Sequence, residues 1–157
     1  MEIENKIPKS CKVVVIGGGV AGCSTAYHLA KFGWKDTVLL ERDVLTSGTT
    51  WHAAGLIGQL GSSATITKLR NYSLNLYKKL EEETGLSTGL KQNGSLTVAT
   101  TPERLEELKR QLTFAQRFDI EAKQVTNEEI KDIYPLINTE DLVGGVFIKK
   151  DGQADPV

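Results

Sequence analysis

Cysteine is scarce in this chain, basic clusters are missing, and no apolar run is long. Cys11 and Cys23 are the only cysteines in 157 residues, and they form neither a disulfide framework nor metal-ligand spacing. That usage predicts a reducing compartment inside the cell, here read as cytoplasmic. No stretch is apolar over enough residues to span a bilayer, so no membrane partner is expected. A net charge of −1 without a basic block leaves no electrostatic footprint for nucleic acid. The opening MEIENKIPKSCK mixes both signs of charge and lacks an apolar centre, which excludes a secretory signal. Its acids and its lack of arginine also set it apart from a mitochondrial presequence. Internal repeats and low-complexity segments are absent too. With 39% hydrophobic and 25% charged residues, the chain reads as globular rather than disordered.

The informative part begins at residue 12. KVVVI, residues 12–16, is a β-branched run that stops at glycines, as a parallel strand buried on both faces would. Gly17-Gly18-Gly19-Val20-Ala21-Gly22 follows and fits GxGxxG. Ala21, Thr25, Leu29 and Phe32 then recur at helical spacing, with Gly33 placed to cap the helix. TVLL, residues 37–40, predicts a second strand, ended by Glu41 nineteen residues beyond Gly22. Each position has a physical role in binding a dinucleotide. Gly17 permits the tight turn, Gly19 lets the backbone approach a pyrophosphate, and Gly22 lets the helix lie close. Val20 and Ala21 open the helix, whose free N–H groups and partial positive charge suit phosphates. Glu41 is placed to accept from ribose hydroxyls, which disfavours NADP. Strand, turn, helix, strand and acid together define a dinucleotide site, with NAD and FAD both open at this stage.

The stretch after Glu41 narrows the choice. Residues 45–56 read LTSGTTWHAAGL, and this loop resembles one found in the amine-oxidising flavoproteins of the D-amino-acid-oxidase-like superfamily. The sarcosine and dimethylglycine dehydrogenases are the most similar group. LEEETGLSTG at 80–89, QNGSL at 92–96, YPLINTEDL at 134–142 and DGQADP at 151–156 resemble the same family, in the same order. In that family the loop histidine carries FAD covalently on its 8α carbon, and the match falls on His52. The resemblance therefore implies an FAD site built from the glycine turn, Glu41, Arg42 and the loop. Within the loop it implicates Gly48, Thr49, Thr50, Trp51, His52, Ala53, Ala54, Gly55 and Leu56. The small residues suit a backbone passing close to a planar ring, and a neutral imidazole supplies a nucleophilic nitrogen near pH 7. His28, inside the first helix and without a partner motif, is read as structural.

Further along, residues 63–84 carry Ile66, Leu69, Ser73, Leu76 and Leu80 and end at Gly85, which predicts a long amphipathic helix. Tyr72 and Tyr77 are expected as half-buried rings, and residues 78–83 as a solvated charged face. SLTVA at 95–99 predicts a strand. A helix is expected from Thr101-Pro102 with Leu105, Leu108, Leu112 and Ala115 inward. Thr126 to Glu129 has capping-box spacing for a short helix that must stop near Pro135. Residues 143–148 predict the start of another strand. The fold class is therefore α/β: a Rossmann-like FAD-binding domain with an incomplete doubly wound parallel sheet, then the start of an α+β substrate domain. The expected division is 1–90 for the first part of the FAD domain, 91–150 for the inserted substrate region, and 151–157 for a return toward the FAD domain. Two candidate parallel strands are too few for a finished sheet, so an N-terminal fragment of a longer protein is expected.

The resemblance implies oxidation of a small N-methylated amino acid, sarcosine ahead of dimethylglycine, by hydride transfer from the N-methyl carbon to the flavin. It further implies an electron-transfer flavoprotein or oxygen as acceptor, and tetrahydrofolate as carbon acceptor where a C-terminal folate region exists. In eukaryotic relatives the location is the mitochondrial matrix. No residue of this chain is assigned a catalytic base. Three other readings stand beside it: a noncatalytic regulatory relative of the pyruvate dehydrogenase phosphatase subunit, an NAD-dependent reductase, and a defective fragment with little activity of its own.

Overall fold

The computed structural model describes residues 8–156; the opening MEIENKI and Val157, used above to argue about targeting and the chain end, lie outside them. Two compact units emerge. One ends at Ala54 and takes in Pro156, and the other runs Gly55–Asp155.

In the first unit, strand β1 (Val13–Ile16), helix α1 (Val20–Lys31) and strand β2 (Thr37–Leu40) form a βαβ crossover. The strands are parallel and pair from Val13↔Thr37 to Ile16↔Leu40. Gly33 ends the helix as expected. It adopts φ +86°, its N–H bonds to Ala30 O, and the Trp34 N–H bonds to Leu29 O, both at 2.9 Å. This pair of bonds satisfies orphan carbonyls of the last turn. Two expectations fail. β1 is not buried on both faces: Val15 is buried, but Ile16 is 86% exposed and Val14 is exposed as well. Among the described residues the sheet of this unit has two strands, so α1 covers one face and no described element of the unit covers the other. The helix face is also rotated. Gly22, Cys23, Ala26 and Leu29 are partly buried, whereas Ala21, Thr25 and Phe32 are exposed. Gly22 decides this, because it is the residue that lies against the glycine turn.

The second unit contains β3 (Leu56–Ile57), α2 (Ala64–Thr84), β4 (Ser95–Ala99), α3 (Pro102–Gln116), β5 (Ala122–Val125), α4 (Asn127–Ile133), β6 (Gly144–Ile148) and β7 (Gly152–Gln153). β6 is the centre of an antiparallel sheet in the order β4-β6-β5. Alternation along β6 sorts its side chains into two cores. Val146 and Ile148 pack with Ala99, Leu108, Ala115 and Ile120, while Phe147 joins Val125, Ile130 and Leu142. α3 starts with the Thr101 hydroxyl accepting the Arg104 N–H and proline in the first turn. α4 has the full capping box, Thr126 and Glu129 each bonding the other's backbone, and it ends before Pro135. Separately, β3 pairs antiparallel with β7.

α2 has the expected extent, capped by Ser63 and by Gly85 in the left-handed conformation. Its buried face matches the expected stripe in part: Ser73, Leu76 and Leu80 are partly buried, but Ile66 and Leu69 are exposed, and Thr67 and Leu74 are the buried residues. The Thr67 hydroxyl explains the shift in the first turns, because it donates to Ser63 O at 2.9 Å and accepts from the Gly61 N–H at 3.1 Å. Tyr77 is partly buried and Tyr72 half-exposed. No described helix is long and apolar enough to cross a membrane.

Candidate functional site

The glycine turn is set by the left-handed backbone of Gly17 and by a close approach at Gly22 that any side chain would block. Gly17 leaves β1 at φ +104°, a left-handed conformation that favours glycine, and its N–H bonds to Leu40 O at 2.8 Å. A Cβ on Gly22 would run into the Gly17 carbonyl oxygen, so only glycine lets the first turn of α1 rest on the loop. On Gly18 it would fall 2.5 Å from Leu45 Cδ2, and on Gly19 2.9 Å from Thr50 Oγ1. α1 begins with Gly19 as its N-cap, with no side-chain cap bond and no acidic residue in the first turn. Its positive end is therefore uncompensated by charge, the condition that favours a phosphate.

Glu41, at the end of β2, faces this turn. Its Oε2 accepts the Gly18 N–H at 2.6 Å, and its Oε1 accepts the N–H groups of Arg42 at 2.7 Å and Asp43 at 3.2 Å. The Gly18 bond, then those from Asp43 and Arg42, hold its carboxyl below the usual glutamate range. Each carboxylate oxygen has two acceptor directions, so Oε2 keeps one for a hydroxyl. A cavity of about 370 Å³ opens beside it, lined by Ile16, Gly17, Leu40, Glu41, Arg42, Asp43, Ser47 and Gly48.

The loop after Glu41 folds back on the turn. The Thr46 N–H bonds to Gly18 O at 3.0 Å, with Thr46 itself at φ +67°, an uncommon conformation for a β-branched residue. Residues Thr49–His52 then form a single 3₁₀ turn. Thr50 Oγ1 accepts the Val20 N–H at 3.0 Å, so one of the helix's free donors, assigned above to phosphate, is held by the loop. The Trp51 indole donates to Ser47 O at 3.0 Å, and its ring centroid lies 3.9 Å from that of His52. His52 Nδ1 is 3.2 Å from Gly48 O. A carbonyl only accepts, so Nδ1 is the donor of this bond, and in the neutral imidazole the lone pair then falls on Nε2. Thr49, Trp51, His52, Ala53 and Ala54 are exposed and Thr50 is partly buried. Ala21 is exposed in the first helical turn.

Gly55 and Leu56 belong to the second unit. Gly55 O accepts the Ala154 N–H at 2.8 Å, and Leu56 pairs with Gln153 at the start of β3. His28 has a local role, its Nδ1 lying 2.7 Å from Ser24 O. Sequence reasoning overlooked three contributors. Gly18, whose only signal was the run of three glycines, supplies the N–H that fixes Glu41. Leu45 and Thr46 fold over that glycine, and nothing in their residue types announces it.

A parallel βαβ crossover with a glycine turn, a helix start free of acidic residues and an acid after the second strand is an arrangement suited to a dinucleotide in an α/β protein. Residues 12–157 match the family model described as FAD dependent oxidoreductase, DAO, and the chain belongs to that family. It is 46% identical over 151 residues to mitochondrial sarcosine dehydrogenase of Homo sapiens, a match covering 96% of this chain and 16% of that protein. Mitochondrial dimethylglycine dehydrogenase of Rattus norvegicus is 44% identical over 145 residues, 92% of this chain and 17% of the relative. Among solved structures, L-proline dehydrogenase from P. horikoshii superimposes with a TM-score of 0.88 at 32% identity, over 96% of this chain and 39% of that one. The chain thus spans about a sixth of the length of the curated relatives it matches.

Proposed function

We propose that this chain forms part of a flavoenzyme that oxidatively demethylates a small N-methyl amino acid, sarcosine ahead of dimethylglycine, with FAD bonded to His52. The observation that carries the reading is the state of His52: Nδ1 is committed to Gly48 O, so Nε2 is the nitrogen free to bond a flavin. The cradle fits FAD on its own residues. Gly17, Gly19 and Gly22, with the Ala21 N–H, would face the pyrophosphate, while the Val20 N–H stays with Thr50 Oγ1. Glu41 would accept from the ribose, Arg42 would line the adenosine side, and residues 48–56 would follow the flavin end. Bound FAD would supply the electron sink, accepting a hydride equivalent from the substrate's N-methyl carbon.

The resulting iminium would give formaldehyde with water, or pass its carbon to tetrahydrofolate if a folate region follows. The proposed acceptor is an electron-transfer flavoprotein or oxygen. Residues 1–90 serve the Rossmann-like FAD domain in this reading, 91–150 open the substrate region, and 151–157 return toward the FAD domain. The proposed location is intracellular, cytoplasmic unless the mitochondrial address in the relatives' names applies.

The test is the mass of the peptide containing His52, taken from acid-denatured full-length protein beside a His52→Ala variant. A flavin adduct is expected on the wild-type peptide, and free flavin or none in the variant. Flavin released equally from both would remove the bond. Flavin without amine turnover would favour the regulatory relative, and no flavin at all would favour a nicotinamide cofactor. A much larger kcat/KM for dimethylglycine would reverse the substrate order.

A further inference from the structure

QNGSL, residues 92–96, holds the only Asn-Gly pair in the sequence, Asn93-Gly94. Asparagine before glycine is the dipeptide most prone to deamidation, because a following residue without a Cβ hinders ring closure least. The fold leaves no other residue at the second position. Gly94 stands at φ +84°, and a Cβ on it would run into the Phe147 ring, so glycine is required there. Asn93 is exposed, between the bridge from Lys91 to Gln153 and Ser95, the first residue of β4. The susceptible pair is therefore built into the entry to the second unit's sheet.

The fold also restrains the reaction. Ring closure needs the Gly94 nitrogen, and its N–H donates to Asp151 O at 2.8 Å. Asp151 is itself fixed. It is 4% exposed, its Oδ1 accepts the Gln59 N–H at 2.8 Å, and its Oδ2 accepts the Ser95 hydroxyl at 2.6 Å. The segment is pinned on both sides of Asn93. Lys91 and Gln153 exchange backbone bonds at 2.8 and 3.0 Å, Gln92 Nε2 donates to Lys150 O at 2.6 Å, and Ser95 pairs with Ile148. The attacking nitrogen is thus tied down, while the amide that it would attack belongs to an exposed residue.

We propose that Asn93 is a site of spontaneous deamidation, gated by the bond from the Gly94 N–H to Asp151 O: it reacts when residues 91–95 lift from residues 150–153. On lifting, the Gly94 nitrogen gives up its proton and attacks the carbon of the Asn93 side-chain amide. The bond from that carbon to the side-chain nitrogen breaks, and the nitrogen leaves with a proton as ammonia. The cyclic imide then adds a water and opens at either carbonyl, giving aspartate or isoaspartate. Water is the only co-reactant, and nothing is oxidised or reduced. Either product adds a negative charge to the wall of a cavity of about 700 Å³ that Asn93 shares with Arg70 and Asp151. Isoaspartate also lengthens the main chain between two pairings whose register is fixed.

The experiment follows the full-length protein at neutral pH by peptide mapping, reading the mass gained when an amide becomes a carboxyl. The same mapping is done on the chain unfolded in denaturant, and amide hydrogen exchange is measured at Gly94. Asn93 is expected to change before every other asparagine, at a folded rate at least about tenfold below the unfolded one. That slowing should match the protection of the Gly94 N–H within about threefold, since both reactions need the same opening. Gln92→Ala, which removes the bond to Lys150 O, should raise deamidation and Gly94 exchange together by about threefold in the folded protein. Asn93→Gln should remove the modification and leave Gly94 exchange as it was. Equal rates in the folded and unfolded protein would overturn the gate, and so would exchange that rises in Gln92→Ala without faster deamidation. Another asparagine reacting first would overturn the site. If Gln92→Ala gives no folded protein, the match between deamidation and exchange in the wild type decides.

Discussion

Two carboxylates play the same part in the two halves of this chain, under opposite conditions. Glu41 holds the Gly18 N–H at an exposed strand end, and backbone donors lower its pKa. Asp151 holds the Gln59 N–H inside the second unit, where burial raises its pKa against the pull of Ser95, Gln59 and Arg70. The surroundings differ in the same sense. α1 has no buried residue, whereas α3 and α4 bury Leu108, Ala115 and Ile130 completely. In the first unit, glycines and backbone donors shape a cradle, and in the second, apolar packing shapes a core. Residue type thus follows what the backbone must do locally, which is close approach in one half and burial in the other.

Substitutions should respect this division. Leu108→Ala in the full-length protein is expected to cost about 3–5 kcal/mol in denaturant unfolding, because a fully buried leucine leaves a cavity. A loss under about 1 kcal/mol would mean that the second core collapses around the gap. Gly22→Ala should cost about 1–3 kcal/mol, the range for overpacking, since the new methyl meets the Gly17 carbonyl. It should also reduce flavin retention, whereas Leu108→Ala should leave flavin on the molecules that remain folded. Equal flavin loss in both would erase the contrast between cradle and core. Thr126→Ala removes one arm of the α4 capping box and should cost about 1 kcal/mol.

The smallest expected effect is the sharpest in sign. Glu41 has a lowered folded pKa, so its contribution is present above the ordinary glutamate range and fades as pH falls through the lowered value. Asp151 has a raised one, so stability falls as pH rises from the ordinary aspartate range through the raised value. Unfolding measured against pH should therefore show opposite slope changes on Glu41→Gln and Asp151→Asn. Changes of the same sign would show that one of the two environments is misassigned.

What was legible in the sequence was local. KVVVI and TVLL run into glycine or acid and became β1 and β2, and Thr101-Pro102 and Thr126 to Glu129 became helix starts, because each signal lies within a few residues of its effect. β3 and β7 have two residues each, too few to show a period. β5 is AKQV, with Lys123 and Gln124 exposed at its centre, and it is a strand only because β6 lies beside it. The faces of α1 and α2 were legible only in part, Leu29 in one and Ser73, Leu76 and Leu80 in the other, because a close glycine contact and a threonine hydroxyl shift the first turns. The candidate site divides in the same way. Glycines, Glu41 and His52 stand out by type and spacing. Thr50 on the Val20 N–H joins residues 30 apart, and in the second unit Asp151 on the Gln59 N–H joins residues 92 apart; a single hydrogen bond across such a distance leaves no pattern in composition.

The strand order of the second unit also bears on how the chain is made. β4 and β5 never pair with each other; each pairs only with β6, which is synthesised after both. On a ribosome adding about 5–20 residues per second, the 23 residues after Val125 up to Ile148 take roughly one to five seconds. During that interval both strands of the nascent chain wait with open edges, and α3 has only part of its packing surface. The βαβ crossover, complete by Leu40, has no such wait. Translation speed across residues 126–148 thus sets how long those strand edges stay open.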